Sequence, residues 1–439
     1  MLMRNMAPWA LAGAASLTLS VTFFAGCKGG EEIGGTSPDG GSSSSGSSGS
    51  GSGSGTGSTS SSSGASGSSS SSSGASGSST SSSSGASGSS SSGAGPDTCG
   101  SPGVTCIVPP PPAGTGAPTA AAHNYALRTL YLGDTDRTGV TSSAAWKAYG
   151  YNLDDKVTTQ SSVDVCTLAA GASKTTQVDG NGGIDNSFGE NILPIYITVA
   201  GSDLASKVNE SIQEGSSTVM TYVTGFDDSA GNTTSATGLT GVFLYGGTYP
   251  GGAPSWSTTT NWPILPMAIA GCTPTTGCPA GTDPVQNAST RFPLAYQSSG
   301  TFVSGTPVDM ELSFGQGSLI VLPIRHAVIS FAPKAPGSVT NGTIAGVMAT
   351  TELVEALQAE AGSISTSLCS GAAFQSIAQQ IEQAADMVYD PGNGDVSNGA
   401  GTPCNAISIG LGFDATEIAA PVAADIAAPQ PAPPNPCAD

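Results

Sequence analysis

The sequence predicts a mainly β protein, an antiparallel β-sandwich or jelly roll with two or three short helices packed at its edge. Gly and Ser are abundant and only 10% of the residues are charged, which is typical of a turn-rich exported β protein. In the clearest strand, 308–314, apolar residues at the even positions alternate with Asp309, Glu311 and Ser313. The predicted strands follow one another without a regular strand-helix-strand spacing, which favours antiparallel pairing.

The other elements follow from short apolar runs and from helical periodicity. The predicted strands are 127–132, 192–199, 218–224, 242–245, 318–331 and 406–413. A helix is predicted over 204–215, because Leu204, Val208 and Ile212 fall on one face. Two further helices are predicted, one with Glu352 in its first turn and one with apolar residues at helical spacing. The members of that last set are Phe374, Ile377, Ile381 and Val388.

The N-terminal segment has the order of a cleaved secretory signal. One cation, Arg4, precedes a mostly apolar stretch, and Ala25 and Gly26 stand before Cys27. This A-G-C run resembles the lipobox of bacterial lipoproteins, and the resemblance implies that Cys27 is lipidated and becomes the first residue of the mature chain. The alternative is an ordinary signal peptide or an N-terminal membrane anchor.

The rest of the chain divides by composition. The divisions are a signal peptide (1–26), the lipidated cysteine with a disordered Ser/Gly-rich tether (27–98), a disulfide- and Pro-rich collar (99–118), a β-rich globular domain (119–420) and a Pro/Ala-rich tail (421–439). The tether is too poor in apolar residues to build a core, so we expect it to act as a flexible spacer.

Charge and cysteine content limit the partners. The net charge of −20 disfavours nucleic acid and leaves divalent cations as the better charged partners.

Lipidation of one of the nine cysteines would leave an even set of eight, which predicts four disulfides in an exported chain. The short loops favour pairing Cys99 with Cys106 and Cys272 with Cys278. Cys369 with Cys404 would then bracket a helix, which leaves Cys166 with Cys437.

A family resemblance covers about residues 120–415. The lipobox and the tether, together with D-G-N-G-G-I-D-N-S-F-G, N-G-T-I-A-G-V and N-A-I-S-I-G-L-G-F, resemble surface lipoproteins of the myxobacterial type. The resemblance implies a secreted, β-rich domain anchored to the outer membrane. Lys28 follows Cys27 in place of the Asp that retains some bacterial lipoproteins at the inner membrane. The family carries no established activity, so the resemblance supplies no catalytic residues.

Two segments carry oxygen ligands at calcium-loop spacing. Asp134 and Asp136 precede a turning glycine, but Ala145 stands where a closing carboxylate is needed, so an Asx-rich turn is the competing interpretation. The second segment, 179–190, has side chains with oxygen atoms at alternate positions and ends on a carboxylate. A glycine turn held by Asn and Asp side chains would also explain this pattern. Its candidate Ca²⁺ ligands are Asp179, Asn181, Asp185 and Glu190.

Catalytic candidates are few. His326 is a candidate base, but its even spacing with Leu322 and Ile324 also fits a strand-face residue. Asp309 and Glu311 share one strand face and could act as a carboxylate pair, although a solvated strand face is the favoured explanation.

Aromatic residues cluster in one Gly/Ser/Thr-rich stretch. Tyr249, Trp256 and Trp262 could stack on sugar rings if exposed, and they could otherwise plug the end of the sandwich. The leading hypothesis is therefore a non-catalytic envelope lipoprotein that binds a glycan or an envelope component. The alternative is a secreted hydrolase acting on a polysaccharide or an ester.

Overall fold

The structure is a computed structural model that describes residues 97–200, 204–314, 320–364, 369–429 and 437. The predicted signal peptide, Cys27 and nearly all of the tether lie outside the described residues. Among the helices that are described, none is long and apolar enough to cross a membrane.

The described residues form thirteen strands and four α-helices. The strands are β1 (Asp97–Thr98), β2 (Ala122–Tyr131), β3 (Lys156–Val157), β4 (Thr218–Thr224), β5 (Ala236–Gly246), β6 (Thr290–Ser298), β7 (Thr301–Val303), β8 (Val308–Phe314), β9 (Ile320–Ala335), β10 (Ser338–Ala349), β11 (Val388–Asp390), β12 (Asp395–Ser397) and β13 (Ala406–Glu417). The helices are α1 (Leu193–Ala200), α2 (Leu204–Gln213), α3 (Thr350–Ile364) and α4 (Ala372–Gln383). A π-helical turn, Phe188–Ile192, leads into α1.

Eight strands close into an antiparallel β-barrel, so the predicted sandwich or jelly roll is wrong. The order around the barrel is β9, β10, β13, β2, β4, β5, β6 and β7, and β7 returns to β9. Closure depends on β9, whose sixteen residues pair with β10 along one edge and with both β7 and β8 along the other. Alternating strands bury one face in a sandwich and in a barrel alike, and therefore the sequence pattern did not distinguish the two.

The barrel interior is filled by side chains. Phe302 and Phe331 stack with ring centroids 4.7 Å apart, and Phe226, just beyond β4, packs edge-on against both. Tyr125 and Phe413 also contact Phe331. The cavity left among these rings is about 10 Å³, roughly the space of one water molecule. The interior is therefore a hydrophobic core, as expected for an eight-stranded barrel, and it offers no lumen to a ligand.

Two layers of irregular chain cover the outside of the barrel. Residues 145–193 lie over β13, whose Gly410 and Gly412 allow Tyr149 to approach the strand closely. On another side, the connection between β5 and β6 packs around Trp262, which is 2% exposed. β13 is consequently buried on both faces along most of its length.

Two predicted elements differ from the structure. Residues 192–199, predicted as a strand, lie mainly in α1, and Val388, predicted to extend a helix, begins β11. β-Branched composition favoured a strand at 192–199, but strand propensity depends strongly on tertiary context. The helix α2 is confirmed, since Leu204, Val208 and Ile212 are all buried.

Four disulfides form, as predicted, but two of the pairings differ. Cys99–Cys106 and Cys272–Cys278 are the predicted local pairs. Cys166 pairs with Cys404, and Cys369 pairs with Cys437. The prediction that joined Cys369 to Cys404 was wrong because Thr167 pairs with Pro403, which brings Cys166 rather than Cys369 to Cys404.

Candidate functional site

The predicted catalytic residues do not assemble into a catalytic dyad. His326 occupies a β-bulge in β9 with a φ of 52°, so it departs from the regular alternation that the sequence predicted. Its Nδ1 lies 2.7 Å from the carbonyl oxygen of Gly394, and a carbonyl can only accept, so Nδ1 carries the proton. Nδ1 of His326 is therefore bonded to a backbone group rather than to a carboxylate.

The predicted carboxylate pair, Asp309 and Glu311, lies within the influence of Arg325. Asp309 Oδ2 lies 3.6 Å from the guanidinium of Arg325, which also makes two 2.9 Å hydrogen bonds to Glu352. Burial raises the pKa of Glu311, and Arg325 partly opposes that rise. This arrangement ties β9 to α3 through an Arg–carboxylate fork.

The aromatic candidates pack mainly on one another. Trp262 is buried and its indole nitrogen donates to the carbonyl of Gly247 over 2.7 Å. Tyr249 and Trp256 are half-buried, with ring centroids 5.4 Å and 5.3 Å from that of Trp262. Arg128 lies over the Trp256 ring. Trp262 is therefore enclosed, whereas Tyr249 and Trp256 are partly exposed.

The first predicted calcium loop forms a hydrogen-bonded turn. Asp136 Oδ1 accepts from the Thr138 nitrogen, the Thr138 hydroxyl and the Val140 nitrogen, and these bonds lower the pKa of the exposed Asp136 carboxyl. Asp134 is half-buried, and burial raises its pKa. Asp136 thus has the geometry of an Asx turn, with its carboxylate engaged by its own loop.

The second predicted loop is divided by the fold. Asp179 and Asp185 turn inward, whereas Asn181 is exposed and Glu190 lies near Lys147. Asp179 Oδ2 accepts from the Thr158 nitrogen over 2.5 Å, and Asp185 Oδ2 accepts from the Leu153 nitrogen over 2.6 Å. The two acids therefore lie against the segment 152–158, which the sequence analysis did not select.

Two further aspartates join them. Asp154 comes from the segment 152–158, and Asp386 follows α4, where its carboxylate accepts from the nitrogen and hydroxyl of Ser408. Burial, reinforced by the neighbouring acids, raises the pKa of Asp179 to about 8 and of Asp185 well above its usual range. Burial also raises the pKa of Asp386 to about 7. Four carboxyl groups thus share one poorly solvated region, which we call the aspartate cluster.

A second cluster escaped the sequence analysis because its members are distant along the chain. His123 Nδ1 lies 2.8 Å from Glu417 Oε1 and 3.8 Å from Asp228 Oδ2. The three residues offer ligand atoms that all lie within 4.8 Å of one another. Asp228 also accepts from the nitrogen of Gly337 in the turn between β9 and β10. The cluster joins β2, β13 and two loops at one end of the barrel. Its three side chains can interact as a histidine–carboxylate ion pair, or they can supply nitrogen and oxygen ligands to a metal ion.

Comparisons with models of protein families, with curated proteins and with solved structures gave no match to this chain.

Proposed function

We propose that this chain is a non-catalytic lipoprotein of the cell envelope that presents its β-barrel domain for binding to a glycan or to another envelope component. The lipid on Cys27 would hold it at the outer membrane, and the Ser/Gly tether would carry the barrel away from the surface. The observation that carries the non-catalytic part of the proposal is that the Asp309 carboxylate lies 3.6 Å from the Arg325 guanidinium, so the predicted carboxylate pair is not free to act on a substrate.

The filled barrel supports binding on the outer surface. Eight-stranded barrels that take a ligand keep an internal cavity for it. Here the cavity among the core rings is about 10 Å³, whereas small-molecule sites are typically ~300–1,000 Å³. A ligand would therefore bind on the loops and outer layers, where Tyr249 and Trp256 are only half-buried.

Export is supported by the cysteines. The four disulfides suit an oxidising compartment such as the periplasm or the cell surface. Two of them join cysteines six and seven positions apart, and two connect distant segments of the domain. This cross-linking fits a domain that must persist outside the cytoplasm.

A glycan array probed with the purified full chain tests the proposal, with calcium in one arm and a chelator in the other. We expect binding without release of reducing sugar or of an ester product, and we expect Trp256→Ala to weaken glycan binding. Met267→Ala, which trims another exposed apolar residue, is the matched control. Turnover that is lost in His326→Ala, Asp309→Asn and Glu311→Gln while the fold persists would contradict the proposal.

A further inference from the structure

His123, Asp228 and Glu417 bring one nitrogen and two oxygen ligand atoms together at one end of the barrel. His123 Nδ1 lies 2.8 Å from Glu417 Oε1 and 3.8 Å from Asp228 Oδ2, and the ligand atoms of all three residues lie within 4.8 Å of one another. Four ligand atoms at ~2.0–2.2 Å from a tetrahedral metal ion stand roughly 3.3–3.6 Å apart, so these separations are close to those of a metal site. We call these three residues the histidine–carboxylate site.

The three side chains come from separate segments that the fold holds in place. His123 lies in β2 and Glu417 ends β13, and the register of these two strands pairs Glu417 with Tyr125, two residues after His123. Asp228 follows β4, and its Oδ2 accepts a 3.2 Å hydrogen bond from the Gly337 nitrogen in the turn between β9 and β10. The Glu417 nitrogen in turn donates to the Gly337 carbonyl oxygen over 2.8 Å. Hydrogen bonds of this kind orient the carboxylates that bind a metal ion.

The histidine–carboxylate site is sheltered but not sealed. The side chains of His123, Asp228 and Glu417 are 13%, 21% and 19% exposed. The His123 ring stacks on Tyr125 with centroids 5.7 Å apart and meets Phe226 at a right angle with centroids 6.4 Å apart. Aromatic rings therefore hold the imidazole in place, while water can still reach the carboxylates. Three protein ligands with water in the fourth position are the coordination of an open zinc site.

Two carboxylates this close together favour a cation between them. Among the described residues, the lysine and arginine salt bridges join other acids. An imidazolium form of His123 would supply the charge, but both of its ring nitrogens would be donors, and Nε2 is buried with no hydrogen-bond partner among the described residues. A ring that binds a metal through Nδ1 also keeps a proton on Nε2, but it carries no charge of its own. The buried donor therefore costs less beside a metal ion than in an imidazolium.

We propose that His123, Asp228 and Glu417 bind one Zn²⁺ ion through His123 Nδ1 and one oxygen of each carboxylate. The donor set decides the metal, because an imidazole nitrogen suits Zn²⁺, whereas Ca²⁺ and Mg²⁺ prefer oxygen ligands. Zn²⁺ also accepts a low coordination number with mixed nitrogen and oxygen ligands, which three protein side chains and a water molecule can supply.

The Zn²⁺ ion would cross-link one end of the barrel. β2 and β13 are neighbours in the barrel, and Asp228 connects them to the loop after β4 and to the turn between β9 and β10. An ion that binds these segments only in the folded chain stabilises the fold. This role is independent of the ligand that the domain binds.

Zinc titration of the full chain tests the site. After treatment with a chelator, the protein is titrated separately with ZnCl₂, CaCl₂ and MgCl₂, and binding is followed by equilibrium dialysis and thermal melting. We expect one Zn²⁺ per chain at this site and a rise in Tm of about 4 °C at a hundredfold excess of free Zn²⁺ over Kd. A dissociation constant above about 1 mM for Zn²⁺, or an affinity for Ca²⁺ or Mg²⁺ that equals the affinity for Zn²⁺, would overturn the proposal.

Two variants and one control locate the ion. Glu417→Gln and Asp228→Asn keep the shape of each side chain and an oxygen that accepts hydrogen bonds, and melting of the metal-free variants checks that they fold. Loss of an outer-shell partner typically weakens metal binding ~10–100-fold, so loss of a direct carboxylate ligand should weaken Zn²⁺ binding by about a hundredfold or more.

His326→Gln is the matched control, because the chain has only two histidines and His326 Nδ1 is bonded to the Gly394 carbonyl oxygen. This variant should bind Zn²⁺ as the wild type does. Unchanged Zn²⁺ affinity in Glu417→Gln or in Asp228→Asn, or loss of the ion in His326→Gln, would overturn the assignment.

Discussion

Gly410 passes so close to Tyr149 that a Cβ on residue 410 would lie 2.1 Å from the Tyr149 carbonyl oxygen. Asn186 reinforces this approach, because its side chain bonds to the backbone of both residues. Nδ2 donates to the Tyr149 and Gly410 carbonyl oxygens over 3.1 Å and 3.0 Å, and Oδ1 accepts from the Gly410 nitrogen. A strand glycine thus fixes the distance between β13 and the layer that carries the aspartate cluster.

We expect Gly410→Ala to destabilise the domain by about 3 kcal/mol or more, because backbone atoms rather than a flexible side chain would meet the new methyl group. Denaturant unfolding of the full chain, followed by fluorescence, measures the change. Gly399→Ala is the matched control, since a Cβ there meets nothing within 4 Å, and it should change the unfolding free energy by less than ~0.5 kcal/mol. Equal stability of the two variants would contradict the close approach.

The two kinds of disulfide should contribute unequally to stability. Cys166 and Cys404 are 238 residues apart, whereas Cys272 and Cys278 are six apart. Loop-closure entropy therefore predicts a loss of roughly 5 kcal/mol for the Cys166→Ala/Cys404→Ala pair and roughly 2 kcal/mol for the Cys272→Ala/Cys278→Ala pair. Unfolding in denaturant measures both.

Non-reducing peptide mapping of the wild-type chain provides the control for these pairings. It should yield cross-linked peptides that contain Cys166 with Cys404 and Cys369 with Cys437. A Cys369–Cys404 peptide as the major product, or a larger stability loss from the short loop, would contradict the structure.

The spacing of apolar residues along the chain predicted individual strands and helices. Strand β8 and helix α2 follow directly from the period of their apolar residues, and both are present. Closure of the barrel depends on β7 and β10 meeting opposite edges of β9, and no local pattern specifies such pairing. The sequence therefore predicted β content and burial but not architecture.

The aspartate cluster was only partly predictable for the same reason, because local sequence does not specify contacts between distant segments. Asp179 and Asp185 could be selected because they stand six residues apart in a glycine-rich run. Asp386 could not be selected from the sequence, because only the fold brings it close to the other three aspartates. Asp154 could not be selected either, because it lies 25 residues before Asp179 and no calcium-loop spacing connects the two.

In the absence of metal, the stability of the domain should fall between pH 5 and 8. Burial raises the folded-state pKa of Asp386 to about 7, above the ordinary value for an aspartate in the unfolded chain, so the folded state holds more protons across this range. The stabilising effect of the bound proton is complete below the unfolded pKa and is lost as the pH rises through about 7. Urea unfolding in a chelator at several pH values measures it.

Asp386→Asn isolates this contribution. The amide cannot ionise and its oxygen can still accept from the Ser408 nitrogen, so the variant should lose less stability than the wild type between pH 5 and 8. The difference between the two proteins cancels the titration of groups that do not interact with Asp386, and the neighbouring acids shift in the same direction because the Asp386 charge raises their pKa. A wild-type domain that gains stability relative to the variant over this range would contradict the prediction.

Cys27→Ser tests the anchor on which the proposed location depends. Lipid chains contribute about 0.8 kcal/mol per buried methylene, so loss of the modified sulfur should release the chain into the soluble fraction or leave it as an unprocessed precursor. Lys28→Asp is the paired variant, since an Asp after the lipidated cysteine resembles the inner-membrane retention signal and should move the protein to the inner membrane with its lipid retained. Membrane fractionation and detergent partitioning measure both variants. Cys27→Ser protein that still fractionates with the outer membrane at the wild-type level would rule out the lipid anchor, whatever the barrel binds.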